Sequence, residues 1–421
     1  LLMALLLIVG LAAGCSGGGS ESGTTPTTTI KFWHIWPEGD ESHDFMENVI
    51  LKKFREDNPD IKVQTLGVSF WDYWSKVQQA IAGGTGPDIC INDMATARQR
   101  ANAGATLLLD DYIQNSSIKR DDYLPGDMEA CTDAAGKTCG IPFQSGVRML
   151  FWNKSLFKEA GLDPDTPPKT LQEITEFAAK LTKRNGDAVE VIGFHPRLNN
   201  NNFHNTAWTQ GGDFFDENGN PTVNSAKNVE VLTWWVDLIK QTDAKSIQSI
   251  QAQAGNLDPF VIGKAAMVID GNWLYSSLKS AQVNFEYGVA PMPYVEGYRS
   301  NWSAGFDLEL VDNKDKAKAD AAWKLMEYLS SADVHLQIAK KQDQLMSNKE
   351  AMQDSYFQND PIWKIMIAES PYSRQRQYIQ ECTTWYDTVV NPEIEKAEAQ
   401  KVSPQEALDA AQEKLLAEIQ N

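Results

Sequence analysis

Apolar residues recur along this chain in two alternating rhythms, one of period two and one of period three to four, which predict strands and helices in turn. Ile30-Lys31-Phe32-Trp33-His34-Ile35 alternates as a strand, Phe45–Asp57 carries Met46, Ile50 and Phe54 on one helical face, and Ile61–Leu66 alternates again. Trp74, Val77 and Ile81 mark another helix, Gly83-Gly84-Thr85-Gly86-Pro87 ends it, and Asp88–Asn92 reads as a short buried strand. Further helices are predicted at Ala226–Lys240, Ala317–Ser330 and Asp333–Lys341, with an irregular, proline-containing segment at Phe285–Phe306. Two helix starts are written locally. Thr170 and Glu173 form a capping-box pattern before Leu171, Ile174, Phe177 and Leu181, and Ser403-Pro404-Gln405-Glu406 supplies a cap, a proline at the first helical position and an acid at the third. Strands alternating with helices predict an α/β protein with a mainly parallel sheet and helices on both faces. Such sheets bind ligands outside the carboxyl ends of their strands, where His34 to Glu38 and Asp93 fall.

One apolar run breaks the rhythm. Leu1–Leu11 is uncharged, ends in Ala12-Ala13-Gly14-Cys15, and gives way to Gly, Ser, Thr and Pro as far as Thr29. The run is too short to anchor as a membrane span, and small residues before a cysteine suit a signal peptidase. Residues 1–14 are therefore expected to be a signal peptide and 15–27 a flexible tether. No initiator Met or basic segment precedes Leu1, so the signal is read as missing its start. Ala-Ala-Gly-Cys is similar to the bacterial lipobox, although Leu is commoner where Ala12 stands. That similarity implies lipidation at Cys15 and an exported cell-envelope lipoprotein, on the outer leaflet of the plasma membrane or the periplasmic face. The alternative is a soluble secreted protein in which Cys15 plays no part.

Length and composition narrow the class. The 421 residues suffice for two domains with real cores, and 42% hydrophobic with 10% aromatic content excludes a disordered chain. With 57 acidic against 38 basic residues the net charge is −19, the wrong sign for a nucleic-acid surface or for adhesion to anionic lipid, so a membrane tether must come from the lipid. Apart from Cys15 there are Cys90, Cys131, Cys139 and Cys382. Cys131 and Cys139 flank a turn-like Thr132-Asp133-Ala134-Ala135-Gly136-Lys137-Thr138 and are the disulfide candidate. Cys90 reads as a buried thiol in a strand, and a Cys90–Cys382 bond stays open.

Signatures of catalysis are missing. His34, His43, His195, His204 and His335 form no H-E-x-x-H pattern, no G-x-S-x-G elbow occurs, and Gly83–Gly86 lacks the Lys-Ser/Thr of a phosphate loop. No metal or cofactor is expected, and the chain is read as a binding protein, not an enzyme. A glycosidase, whose paired carboxylates leave no local motif, is the enzymatic alternative. Thirteen tryptophans point elsewhere. Trp36 before Pro37-Glu38, Trp71 beside Asp72 and Trp273 after Gly271-Asn272 sit where a half-polar ring would be wasted in a core. A sugar ring offers an apolar C–H face and a rim of hydroxyls, so its site pairs flat aromatics with planar hydrogen-bonding side chains. Trp74, Trp234, Trp235 and Trp323 fall on helical apolar faces and are read as core, while Trp208, Trp302 and Trp385 stand between the two readings.

Several segments, taken in order, carry a resemblance over nearly the whole mature chain. They are Ile30-Lys31-Phe32-Trp33-His34, Gly-Thr-Gly-Pro-Asp-Ile at Gly84–Ile89, Gly140-Ile141-Pro142-Phe143 running to Phe151–Phe157, and Pro167–Ile174. Phe260–Met267 with Gly271-Asn272-Trp273, and Gly288–Pro293, complete the series. In this combination the chain resembles the extracellular solute-binding proteins of bacterial ABC importers, in the sugar-binding family that includes maltose- and multiple-sugar-binding proteins.

The resemblance implies a periplasmic-binding-protein fold: two α/β lobes joined by a hinge, with ligand held in the cleft between them. An N-lobe of residues 28–146 and 295–333 and a C-lobe of 147–294 and 334–421 are expected, with crossings near Val147–Leu150, Pro291–Tyr294 and Val334–Ala339. It further implies a monomer that captures a carbohydrate, closes over it and delivers it to a membrane permease. Trp273 matches a Gly-x-Trp motif whose tryptophan stacks on sugar, with Asn272 placed to bond hydroxyls. Trp36, Glu38, Trp71, Asp93, Gln144 and Arg148 would line the cleft, joined by Trp208, Phe306, Asp307 and Arg374. Arg148 and Arg374 leave the ligand class open, since a guanidinium fork suits a neutral diol, an acidic sugar or a glycerol-phosphate-type ligand.

Overall fold

The structure, a computed structural model, describes residues 27–196, 203–302 and 305–420, so Cys15 and the expected signal run lie outside the described residues. Twelve strands run along the described chain: β1 (Thr28–His34), β2 (Ile61–Gly67), β3 (Ile89–Asp93), β4 (Ile141–Gln144), β5 (Arg148–Asn153), β6 (Lys183–Asn185), β7 (Ala188–Val191), β8 (Met267–Gly271), β9 (Tyr287–Pro291), β10 (Asn301–Trp302), β11 (Phe306–Leu310) and β12 (Ser373–Arg374).

Two sheets organise two lobes. The first has the order β2-β1-β3-β11-β4 and the second β8-β5-β9. In β1, Ile30, Phe32 and His34 alternate into the core, as the period of two requires. The pairing is less parallel than the sequence predicts. β1 runs parallel to β2 and β3, but β11 returns antiparallel between β3 and β4, and the second sheet is antiparallel throughout. The cause is the segment read as irregular: Phe285–Phe306 contains β9 and leads into β11, so one connection feeds a strand to each sheet. Gly288 makes β9 possible, because a Cβ there would lie 2.1 Å from the Trp152 ring on β5.

Helix starts follow their local signals. Glu173 N–H donates to Thr170 Oγ1 at 3.1 Å while the Glu173 carboxylate accepts from Thr170 N–H at 3.3 Å, closing the expected capping box of helix Leu171–Leu181. Ser403 and Glu406 cap helix Pro404–Gln420 in the same reciprocal way. The predicted helix at 45–57 forms with a π-turn, Met46–Ile50, between Glu41–Phe45 and Leu51–Asp57, and Met46, Ile50 and Phe54 are buried as their spacing implies.

The chain passes between sheets just where β4 ends at Gln144 and β5 begins at Arg148, and again between the end of β9 at Pro291 and the start of β11 at Phe306. The expected third crossing, Val334–Ala339, lies instead inside helix Ala332–Gln342, which packs against helices Lys316–Leu329 and Glu41–Phe45 of the first lobe. Beyond it, Met346 and Asn348 still pair with Gln144 and Tyr123, so the chain leaves the first lobe later.

The Cys131–Cys139 disulfide is not formed; both residues, with Cys90 and Cys382, are thiols. The turn is as expected, with Thr132 bridged to Thr138. The Cys139 amide donates to the Cys131 carbonyl at 2.7 Å. The sulfurs face different groups, Cys131 Sγ lying 3.7 Å from Asp307 Oδ2 and Cys139 Sγ 3.8 Å from the Lys137 carbonyl. Burial pushes the Cys139 thiol up to about 12, which leaves little thiolate to react.

Candidate functional site

A cavity of about 1190 Å³ opens between the two sheets. From the first lobe it takes Ile35 and Trp36 just past β1, Asp93 at the end of β3, Gln144 at the end of β4 and Phe306 at the start of β11. Antiparallel register sets Phe306 beside both Asp93 and Gln144, which brings three chain-distant residues to one edge. From the second lobe, Arg148 opens β5 opposite Gly271 at the end of β8, and Trp273 follows in helix Asn272–Ser280. A parallel strand's carboxyl end and an antiparallel strand's amino end meet at the same border, so the ligand-facing edge survives the mixed pairing.

Aromatic rings cover both walls. Trp74 stacks on Phe306 with centroids 5.4 Å apart and planes 25° apart, and Phe70 meets both rings edge-on. Trp71, on the same helix Phe70–Ala82, is 86% exposed at the rim. Across the cavity the Arg148 guanidinium lies 4.6 Å from the Trp273 ring and 4.5 Å from the Trp302 ring. Trp273 can lie flat only because residue 271 is glycine: a Cβ there would sit 2.3 Å from its ring.

Polar groups at the border are mostly pre-positioned. Arg148 N–H donates to Asn301 Oδ1 at 2.8 Å and its carbonyl accepts from Asn301 Nδ2 at 2.7 Å, fixing the backbone that carries the guanidinium. Gln144 Nε2 donates to Gln342 Oε1 at 2.6 Å, and Glu41 pairs with Lys341 at 2.6 Å. Asp93 Oδ1 accepts from Ala95 N–H at 3.0 Å, and burial raises its carboxyl above the ordinary range. Among the described lining residues the charged groups are four acids, Glu41, Asp93, Asp258 and Asp270, against two bases, Arg148 and Lys341. No group of His, Cys, Asp and Glu among the described residues could hold a metal ion, and no described helix is long and apolar enough to cross a membrane.

Seven sequence-predicted residues thus border one cavity: Trp36, Trp71, Asp93, Gln144, Arg148, Trp273 and Phe306. Five do not. Glu38 is exposed in the turn before Asp40, and Glu41 reaches the cavity in its stead. Asn272 is fully buried, accepting from Val147 N–H at 3.1 Å and donating to Gln344 Oε1 at 3.2 Å. Asp307 follows Phe306 on a strand and so points to the other face, where burial and the neighbouring Glu309 raise its carboxyl well above the usual range. Trp208 is core, with Arg374 stacked 4.3 Å from its ring and held by Asp213 at 2.9 Å. Trp74, read as core from its helical spacing, lines the cavity, as does Trp302, whereas Trp385 is buried. Gln251, Asp258, Asp270, Gln342 and Gln344 line it without any local signal in the sequence.

Residues 39–335 match the family described as bacterial extracellular solute-binding protein. The chain belongs to that family. This solute-binding protein is 25% identical over 411 residues to the sn-glycerol-3-phosphate-binding periplasmic protein UgpB of Shigella dysenteriae, covering 92% of this chain and 91% of that one. Among solved structures it is similar to CpMnBP1 with mannotriose bound, at 27% identity and a TM-score of 0.79, over 92% of this chain and 100% of the other. It is also similar to the maltose/maltodextrin-binding domain MalE of Bdellovibrio bacteriovorus bound to maltotriose, at 25% identity and a TM-score of 0.71, over 94% and 100%. Both comparisons place the two-lobe α/β fold of the solute-binding protein among periplasmic binding proteins.

Proposed function

We propose that this solute-binding protein is the lipid-anchored receptor of an ABC importer and captures a neutral oligosaccharide in the cavity between its lobes. The observation that carries the reading is the pairing of opposed aromatic walls, Trp74 with Phe306 and Trp273 with Trp302, around planar amides and carboxylates. Indole faces take the C–H face of a pyranose and the amides take its hydroxyls. Trp36, Trp71, Asp93, Gln144 and Arg148 are the remaining contacts. At about 1190 Å³ the space exceeds the ~300–1,000 Å³ typical of small-ligand pockets, which favours several sugar units. The relatives' ligands, mannotriose and maltotriose, support the same class.

A second reading, a glycerol-phosphate-type or acidic ligand, draws on the UgpB relative and on the Arg148 fork. Two acids in excess among the described lining residues weigh against it, as does the engagement of Arg374 with Asp213 outside the cavity. Binding works by lobe closure, with no bond made or broken in the ligand. The N-lobe comprises 28–146 and 295–348 and the C-lobe 147–294 and 349–421. Lipid on Cys15 holds the monomer at the membrane, where a permease receives the loaded form.

Calorimetric titration of the mature protein with mannose- and glucose-based oligosaccharides and with sn-glycerol-3-phosphate tests the reading. Tight binding of an intact neutral oligosaccharide is expected. Binding of sn-glycerol-3-phosphate alone would replace it with the second reading.

A further inference from the structure

Asp93 is the acid that the end of β3 offers to the cavity, and its setting is built from side chains that do not reach the cavity. Its N–H donates to Asn92 Oδ1 at 3.0 Å, and its carbonyl accepts from Arg100 Nη2 at 2.7 Å and from Thr96 Oγ1 at 3.2 Å. Arg100, on helix Ala97–Asn102, also donates from Nη1 to Thr96 Oγ1 at 2.5 Å, so the guanidinium closes the turn Met94–Thr96 back onto Asp93. Its Nε and Nη2 fork onto the carboxylate of Glu309, Nε at 2.7 Å, and Asn92 Nδ2 donates to the same carboxylate at 3.2 Å. Asn92, Arg100 and Glu309 thus meet one another and hold both backbone polar groups of Asp93. Asn92 and Glu309 are 0% exposed and Arg100 5%, and none of the three is among the described residues that border the cavity. Glu309 lies on β11, the strand that also carries Phe306, and one register pairs Phe306 with Asp93 and Glu309 with Cys90. The network therefore ties the carboxyl to the aromatic wall beside it. Fold stability alone is a poor account of it. Taking a guanidinium and a carboxylate out of water costs about as much as their attraction returns, and apolar side chains of the same volume often hold a core as well or better. What the forked pair supplies, and an apolar cluster does not, is direction. Among the described residues, both hydrogen bonds that the guanidinium makes away from Glu309 go to the turn that aims Asp93.

We propose that Arg100 is a positioning residue for ligand binding: with Asn92 and Glu309 it sets the direction of the Asp93 carboxyl, and through it the affinity for sugar hydroxyls, without touching the ligand. Hydrogen bonds weaken steeply away from their preferred angle, so the aim of that carboxyl matters as much as its presence. The inference rests on the carbohydrate reading above. Arg100 and Glu309 stand 209 positions apart, so no local pattern announces the pair.

The test is a double-mutant cycle, read by calorimetric titration of the mature protein with mannose- and glucose-based oligosaccharides. Asp93→Ala removes the group that is aimed. Arg100→Lys keeps a charge beside Glu309 but not the planar fork that reaches the Asp93 carbonyl and Thr96, and Asn92→Ala releases the Asp93 N–H while leaving the ion pair whole. Each single substitution should weaken the tightest-bound sugar by about tenfold, the order expected for one hydrogen bond to a charged group. In the Asp93→Ala background, Arg100→Lys and Asn92→Ala should cost under about twofold more, because nothing is left to aim. A general loosening of the lobe would cost the same in both backgrounds. Equal losses in the two backgrounds, or full affinity in Arg100→Lys and Asn92→Ala alone, would overturn the positioning role and leave the carbohydrate reading standing, as would normal binding by Asp93→Ala. Should Arg100→Lys fail to melt cooperatively, the Asn92→Ala pair decides by itself. Failure of every sugar to bind the unaltered protein would overturn both readings.

Discussion

The guanidinium of Arg148 lies 4.6 Å from the indole of Trp273, across the border between the two lobes' connecting segment and the helix that follows β8. A charge held flat against an aromatic face is shielded from water on that side. Trp302 covers the same group at 4.5 Å. The arginine is therefore positioned before any ligand arrives, and the rotamer entropy that a free arginine would lose on binding has been lost on folding.

Trp273→Ala removes both a platform for sugar and one support of Arg148. Affinity for the oligosaccharide should fall by about 1–3 kcal/mol, with the melting temperature of the empty protein little changed because Trp273 is 36% exposed. Titration calorimetry alongside thermal melting checks both halves; an unchanged affinity would take Trp273 out of the site.

Gly271→Ala should reproduce most of that loss without touching the tryptophan. Residue 271 has φ −80° and ψ 170°, which alanine adopts freely, so backbone strain is not the issue. The new methyl would sit 2.3 Å from the Trp273 ring and must drive it off its seat. Weakened sugar binding together with a shifted tryptophan fluorescence maximum is the expected pair of readouts, and normal affinity would show that the ring's position is unimportant.

What the sequence makes legible here is local. Capping boxes are read correctly because all their partners lie within four residues. Helical spacing around Trp74 reveals that one face is covered but not by what, and the cover turns out to be Phe306, 232 positions away, at the cavity wall. Asn272 shares a motif with Trp273 yet points inward, because successive helix positions differ by about 100° in direction. The glutamines at 251, 342 and 344 reach the cavity through tertiary packing alone. Cys131 and Cys139 have hairpin spacing, but spacing does not say where each sulfur points.

Asn272→Ala should damage stability more than it damages binding contacts. Its Oδ1 accepts from Val147 N–H while its own N–H donates to the Val147 carbonyl at 3.1 Å, so the side chain completes a strand-like pair where the chain crosses between lobes. Alanine leaves the buried Val147 amide and Gln344 Oε1 without the bonds that Asn272 makes to them, at a cost of about 1–3 kcal/mol. Urea denaturation measures that loss. Asn272→Asp, which keeps the acceptor for Val147, should recover part of it, and full stability in the alanine variant would contradict the structural role.

Acid should weaken the fold through two histidines. Burial, joined at His34 by the nearby His43, lowers the pKa of His34 and of His335 from 6.5 to about 3. His34 accepts from Trp36 N–H through Nδ1, and His335 is enclosed by Phe143 and Tyr123. Between pH 6.5 and 3 the unfolded chain binds protons at these positions that the folded chain refuses, so stability rises with pH across that window and their effect is absent above it. Each pH unit below 6.5 costs up to ~1.4 kcal/mol per histidine, or about 2 kcal/mol apiece at pH 5. Buried carboxyls such as Asp307, whose pKa is raised, act in the opposite direction and must be separated from the histidines. His335→Leu does this: it leaves every carboxyl in place, so the difference in urea midpoint between pH 7 and pH 5 should shrink by roughly the share of one histidine. An identical pH dependence in the variant would mean that His335 takes up its proton in the folded protein as readily as in the unfolded one.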